Sequence, residues 1–261
     1  MASPTTKFKN LYRAHGIRGI AEHLAAEVAK IGQRRPPVEK FWSEYLTWLT
    51  WANPGMLARG NVYSMDFAIR NLPSGSPIVE IGSFAGLSAN VIGYLKQRHG
   101  AANRLITCDR WIFELRPGDE AKQLADSPTV SHADYRKLVK AAFLQNVRTF
   151  SGHDLPWTIE LLSDEFFAAW TAEEKRHDVF DREIQLGGPI SFCYIDGNHS
   201  YEFAKRDFEN CDRYLERRGF MLLDDSADGS PWEVCRVVRE ILDSGRYETV
   251  AKNPNYLFRK K

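Results

Sequence analysis

Several features that would assign a chain quickly are scarce or missing here. There are only four cysteines, Cys108, Cys193, Cys211 and Cys235, widely spaced and without a CxxC pair. Neither a zinc site nor a disulfide framework is therefore indicated, and the thiols read as reduced, mostly buried small apolar residues. No apolar run is long enough to span a bilayer and there is no signal-peptide pattern, so a soluble, cytoplasmic protein without a membrane partner is expected. Net charge is almost absent: 35 basic residues against 34 acidic ones leave +1. Without a basic field, nucleic acid is not an expected partner. Repeats and low-complexity tracts are missing. So is the GxGxxG fingerprint of a dinucleotide site, which counts against a nicotinamide-dependent oxidoreductase.

What is present is an ordinary globular composition, 43% hydrophobic and 26% charged over 261 residues, suited to one α/β domain with an appendage. Residues 1–60 form the expected appendage. Ile20, Leu24 and Val28 share one helical face, Gly32 stops that helix, and Pro36-Pro37 precede a second, aromatic one. In that second helix Phe41, Trp42, Tyr45, Trp48 and Trp51 wrap more than one face. Burial under a neighbouring element, a homodimer contact and a roof over a substrate pocket all fit such a pattern.

Residues 61–261 read as the main domain. "IVEIGSF" is a strand broken at glycine, "LSANVIGYLKQRHG" a helix and "RLITCD" a second strand ending at Asp109, the order of a right-handed nucleotide-binding βαβ unit. Residues 110–156 are expected to be a lid-like insertion containing the helix "DYRKLVKAAFLQNV". Beyond it come a strand candidate "WTIELLS", a helix "DEFFAAWTAEEKRHDVF" and the buried parallel strand "PISFCYID". A helix from Ser200 stops at Gly219, "FMLLDD" is the fifth strand, and a last helix and a polar tail with "NYLFRK" follow. The expected fold is an α/β, Rossmann-like, doubly wound and mostly parallel seven-stranded sheet.

Ligands of such sheets bind outside the carboxyl ends of the strands. Here those ends are expected at Glu80-Ile81-Gly82, Asp109, Ser163-Asp164, Asp196-Gly197 and Asp224-Asp225. Gly82 and Gly86 allow a sharp turn and close approach of a ligand to backbone. Glu80 suits a cationic ammonium or sulfonium group better than a pyrophosphate. Asp109 stands where a carboxylate accepts hydrogen bonds from ribose hydroxyls. Taken alone, each motif is also ordinary turn and cap chemistry: Asp196-Gly197-Asn198 can form a turn and Ser200 can cap a helix. Asp196, Asp224 and Asp225 end neighbouring strands, however, and close anions need protons or a cation between them. Oxygen donors with room left for water suit Mg2+.

With "VEIGSFAGLS", "LITCD", "FCYIDGNHSYEFAKRDFE" and "GFMLLDD", residues 60–235 resemble the class I S-adenosylmethionine-dependent methyltransferases, and among them the metal-dependent small-molecule O-methyltransferases of the catechol and macrolide-sugar type. The resemblance implies that Glu80, Gly82 and Gly86, with Ser83, Ser88 and Asp196 beside them, hold the methionine part of S-adenosylmethionine. It places Asp109 at the ribose and Ser163 with Asp164 at the adenine edge. It also implies Asp196, Asp224 and Asp225 as ligands of Mg2+ and His199 as the base that deprotonates a hydroxylated small-molecule substrate, with a sugar or glycosylated natural product as leading class. A non-catalytic protein that binds S-adenosylmethionine is the other reading.

Overall fold

The computed structural model describes residues 42–113, 121–122 and 130–261. The expected helix around Ile20, Leu24 and Val28, the start of the aromatic helix with Phe41, and residues 114–120 and 123–129 of the expected insertion lie outside them. Residues 43–261 form one compact unit.

In chain order its elements are α1 (Glu44–Ala52), α2 (Arg59–Arg70), β1 (Ile78–Ile81), α3 (Leu87–His99), β2 (Leu105–Cys108), β3 (Ala121–Lys122), β4 (Val130–Ser131), α4 (His132–Phe150) and β5 (Trp157–Ile159). Then follow α5 (Ser163–Thr171), β6 (Lys175–His177), β7 (Glu183–Gln185), β8 (Ile190–Ile195), α6 (Tyr201–Tyr214), β9 (Leu215–Leu223), α7 (Val234–Asp243), β10 (Tyr247–Lys252) and β11 (Tyr256–Lys260). Seven strands make the central sheet in the order β10-β11-β9-β8-β1-β2-β5. From β9 to β5 every pair is parallel, and β11 runs antiparallel to both β9 and β10. The mostly parallel, doubly wound sheet is as expected.

Burial follows from residue type. β1, β2 and β8 are buried along their whole length, as apolar strands covered on both faces must be. Alternate residues serve opposite faces. Val79, Ile81, Cys193, Ile195, Met221 and Leu223 join the core shared with Phe166 and Trp170 of α5, Phe208 of α6 and Val237 of α7. The residues between them point the other way: Phe220 meets Phe67 of α2 edge to face at 6.1 Å. No described helix is long and apolar enough to cross a membrane.

Three expectations need correction. The helix expected over "DEFFAAWTAEEKRHDVF" stops at Thr171, and a β6–β7 hairpin follows. Asp178 closes its turn, accepting from the N–H groups of Phe180 and Arg182 at 2.9 Å each, and the Arg182 guanidinium lies 4.1 Å over the Trp157 ring. The helix expected to run to Gly219 ends at Tyr214, because Leu215 already pairs with Ile190 of β8. The expected polar tail is instead the β10–β11 hairpin that completes the sheet.

Phe192, fully buried at the centre of β8, tests the packing. Phe192→Ala is expected to lower unfolding free energy by about 3–5 kcal/mol, read from urea denaturation with an unchanged slope; a loss below ~1 kcal/mol would show that this part of the core is loosely packed.

Candidate active site at the carboxyl edge of the sheet

The chain leaves β1 at Gly82, with φ +83. Its N–H donates to the Cys108 carbonyl at 2.9 Å, and the Asp196 N–H donates to the Ile81 carbonyl at 2.8 Å. The turn is thus wedged between β2 and β8. A Cβ at Gly82 would stand 2.0 Å from the Asp196 carbonyl oxygen, so only glycine fits. Phe84 follows in the left-handed region at φ +45, and Gly86 (φ +88) opens α3.

Asp109, just past β2, braces this turn. Its Oδ2 accepts from the N–H groups of Ser83 at 2.8 Å and Phe84 at 2.9 Å, while Oδ1 accepts from Trp111 N–H at 2.6 Å. Burial raises its carboxyl above the usual range, against the pull of those three amides. The Ala85 carbonyl is held from two further places, by Nδ2 of Asn53 just past α1 at 3.0 Å and by Asn146 Nδ2 of α4 at 2.8 Å.

Glu80 is fully buried under the same turn. Its Oε2 accepts from the Ser83 hydroxyl at 2.8 Å, but Oε1 has no hydrogen-bond partner. Burial raises its carboxyl to about 7, against the hydroxyls of Ser88 and Ser83. A buried carboxylate with an open acceptor, beside backbone that no side chain shields, is a receptor for a cationic donor.

The second half of the site gathers at β8 and β9. Glu80 is in register with Tyr194 across the β1–β8 pair, and Tyr194 stands in register with Leu222. Two residues on from these partners, Asp196 and Asp224 continue the same row. The Tyr194 hydroxyl donates to Asp196 Oδ2 at 3.0 Å. Burial first, then the nearness of Asp224, pushes the Asp196 carboxyl up to about 8 although His199 opposes the shift; its side chain keeps 27% exposure. His199 lies between two carboxylates, with Nδ1 3.0 Å from Asp225 Oδ2 and Nε2 3.5 Å from Asp196 Oδ1. Both contacts are ion-pair distances, and the buried Nε2 has no hydrogen-bond partner. Burial disfavours the imidazolium, but Asp196, Asp225 and Asp224 outweigh it and raise the imidazole's pKa. Half-exposed Trp232 meets the imidazole edge to face at 5.1 Å.

Asp224 belongs to this cluster but has one oxygen engaged outside it. Its Oδ1 accepts from Asn61 Nδ2 and Asn255 Nδ2, both at 2.5 Å. Among the described residues no three His, Cys, Asp or Glu side chains are gathered as a group that could hold a metal ion. His199 occupies the space between Asp196 and Asp225, and Asp224 has committed one oxygen elsewhere. The donor chemistry still suits a hard divalent cation, since the carboxyls of Asp196 and Asp225 are raised partly by neighbouring Asp224 and a cation would relieve that repulsion.

Residues 79–226 match a family model described as a methyltransferase domain. The chain belongs to this family. Among solved structures, the methyltransferase aligns with calicheamicin methyltransferase CalS11 at 20% identity and TM-score 0.52, over 87% of this chain and 94% of that one. It aligns with the SAH-bound Podospora anserina methyltransferase PaMTH1 at 16% and 0.51, over 94% and 97%. The O-methyltransferase NovP aligns at 15% and 0.50, over 79% and 81%. At such identities the likeness is one of fold, and it bears out the class I methyltransferase architecture. No curated protein matches the chain in sequence.

The methyltransferase brings Glu80, Gly82, Ser83, Gly86, Ser88 and Asp109 together around one turn, and Asp196, His199, Asp224 and Asp225 together beyond the ends of the next two strands, β8 and β9. Ser163 and Asp164 are not a strand end, because β5 stops at Ile159 and Ser163 already begins α5. The Ser163 hydroxyl counters the burial that raises the Asp207 carboxyl of α6, and Asp164 pairs with Arg206 at 3.1 Å and accepts from Asn210 at 3.3 Å. The carboxylate at the end of β5 is Glu160, paired with Lys140 at 2.6 Å and Arg136 at 3.1 Å. Tyr194 was legible as the residue two before Asp196 on the same side of a strand. Asn61, Asn255 and Trp232 carried no local signal.

Glu80 supplies a test without ligand. Between its ordinary value of 4.5 and about 7 the folded protein holds a proton that the unfolded chain has released, so its contribution to stability is present below 4.5 and lost as pH rises through 7. Glu80→Gln is expected to be more stable than wild type by up to about 3 kcal/mol above that window, the gap closing below it. Urea denaturation of both proteins across pH 4 to 8 reads this; parallel curves would show that Glu80 ionises as freely as in water.

Proposed function

We propose that this methyltransferase uses S-adenosylmethionine to methylate a hydroxyl of a small molecule, a sugar or glycosylated natural product being the leading substrate class. The observation that carries the proposal is His199, an imidazole set between the carboxylates of Asp196 and Asp225 with its buried Nε2 left without a hydrogen-bond partner, at the edge of the sheet that also holds the Gly82 turn. CalS11 is described as a calicheamicin methyltransferase and PaMTH1 as bound to SAH, which supports the cofactor and the substrate class.

S-adenosylmethionine supplies a methyl group on a positively charged sulfur. The residues present fit it: Glu80 Oε1 is a buried acceptor without a donor, and Gly82 leaves backbone open beside it. Asp109 keeps one acceptor position on Oδ1 after its three amide bonds, enough for a ribose hydroxyl. Asp225 Oδ2, 3.0 Å from His199 Nδ1, favours the proton on that nitrogen and so the tautomer whose Nε2 carries the lone pair. That lone pair takes the hydroxyl proton as the oxygen attacks. Trp232 gives this side of the site an apolar wall against which a sugar ring can lie.

Mg2+ is the finer part of the proposal, with Asp196, Asp224 and Asp225 as the residues that would hold it. Bound there, a divalent cation makes a substrate hydroxyl more acidic.

Replacement of His199 by alanine is expected to reduce methyl transfer from labelled S-adenosylmethionine to a panel of phenols and nucleotide sugars by about 10²–10⁴-fold. Calorimetry should show cofactor affinity within about twofold of wild type; full activity in the variant removes His199 as base. For the cation, dialysis against EDTA should abolish transfer and Mg2+ should restore it. Activity that survives chelation would strike out the metal and leave the rest.

A further inference from the structure

We infer that Asn61 and Asn255 are positioning residues of the acidic centre: they hold Asp224 in one orientation, so that only its Oδ2 is left for the site. The inference rests on the functional reading above and adds residues that neither the family match nor the motifs contain.

Asn61 stands in the first turn of α2 and Asn255 immediately before β11, 194 residues apart, and both are buried. Each donates a side-chain N–H to Asp224 Oδ1 at 2.5 Å. Asn255 Nδ2 also donates to Asn61 Oδ1 at 3.0 Å, and Asn255 Oδ1 accepts from Ala227 N–H at 3.1 Å. Three side chains thus close a ring in which both acceptor positions of Oδ1 are filled. Asp224 itself is only 7% exposed, so turning its carboxylate would leave two buried amides without acceptors, an expensive state.

The ring is seated against backbone that cannot yield. A Cβ on Gly60, the residue before Asn61, would stand 1.4 Å from the Asn253 carbonyl oxygen. The first turn of α2 and the β10–β11 turn are therefore in direct contact, and the asparagines reach Asp224 from both sides of it. Burial alone would be met equally well by apolar residues. What the amides add is a fixed rotamer for a carboxylate next to Asp196 and His199, the task that residues behind a metal or catalytic group perform.

The test uses full-length Asn61→Leu and Asn255→Leu, which keep approximate size and remove the donors, with Asn61→Ser and Asn255→Ser as milder variants should the leucine proteins fail to fold. Three measurements are made on each: SAH affinity by calorimetry, Mn2+ affinity by electron paramagnetic resonance in the presence of SAH, and a crystal structure of the SAH complex. The expected result is an Asp224 carboxylate turned away from its wild-type orientation and Mn2+ binding weakened about 10–100-fold, with SAH affinity within twofold. Folded variants with a lower melting temperature, an unmoved Asp224 and unchanged Mn2+ affinity would overturn the inference and leave the asparagines as packing residues. If wild type binds SAH but no Mn2+, the metal part of the functional proposal fails, and the orientation of Asp224 in the variant crystals alone decides this one.

Discussion

Gly82 leaves β1 in a left-handed conformation with its backbone pressed against the Asp196 carbonyl, and both halves of the candidate site hang on that contact. On one side the turn carries Ser83 over Glu80 and offers two amides to Asp109. On the other, the same strand edge fixes where β8 ends, and so where Asp196 and His199 emerge. A side chain at position 82 would force β1 and β8 apart and separate a cofactor cradle from its chemistry. The parallel ladder of β1 with β2 and β8 turns this local exclusion into a global one, since neither strand can shift without breaking register along its length.

Electrostatically the site is crowded with buried acids. Glu80 and Asp196 both hold protons more tightly than free carboxyls do, chiefly because burial penalises their charge. They lie on one side of the sheet with Tyr194 between them, whose hydroxyl burial and the nearby Asp196 push upward. Such crowding of acids is destabilising unless something positive arrives. A sulfonium or ammonium group near Glu80 and a cation near Asp196 would each relieve it, so the affinity for ligand and the strain without ligand have a common origin.

Much of this was legible in sequence because the carriers are strand ends. Apolar runs stop where a glycine or carboxylate appears, and "VEIGSF", "LITCD", "CYIDGNH" and "LLDD" mark four such ends. The third strand misled because Leu161 and Leu162 prolong the apolar run past Ile159, where the chain has already left the sheet for α5. The β6–β7 hairpin was hidden by an Asp-centred turn inside a segment with helical composition. Asn61 and Asn255 could not be found at all: an asparagine's role depends on what lies across from it, and here the partners meet only through the tertiary fold.

That meeting also sets an order of events. The carboxylate at the end of β9 is oriented by one residue near the front of the folded unit and another three residues past the end of β10. During synthesis, most of the parallel sheet can pair before the β10–β11 hairpin has emerged, yet Asp224 has no fixed orientation until that hairpin docks against α2. Contacts so distant along the chain close late. Asp224 thus takes its final orientation from the last strand pair, the same pair that closes the edge of the sheet against β9.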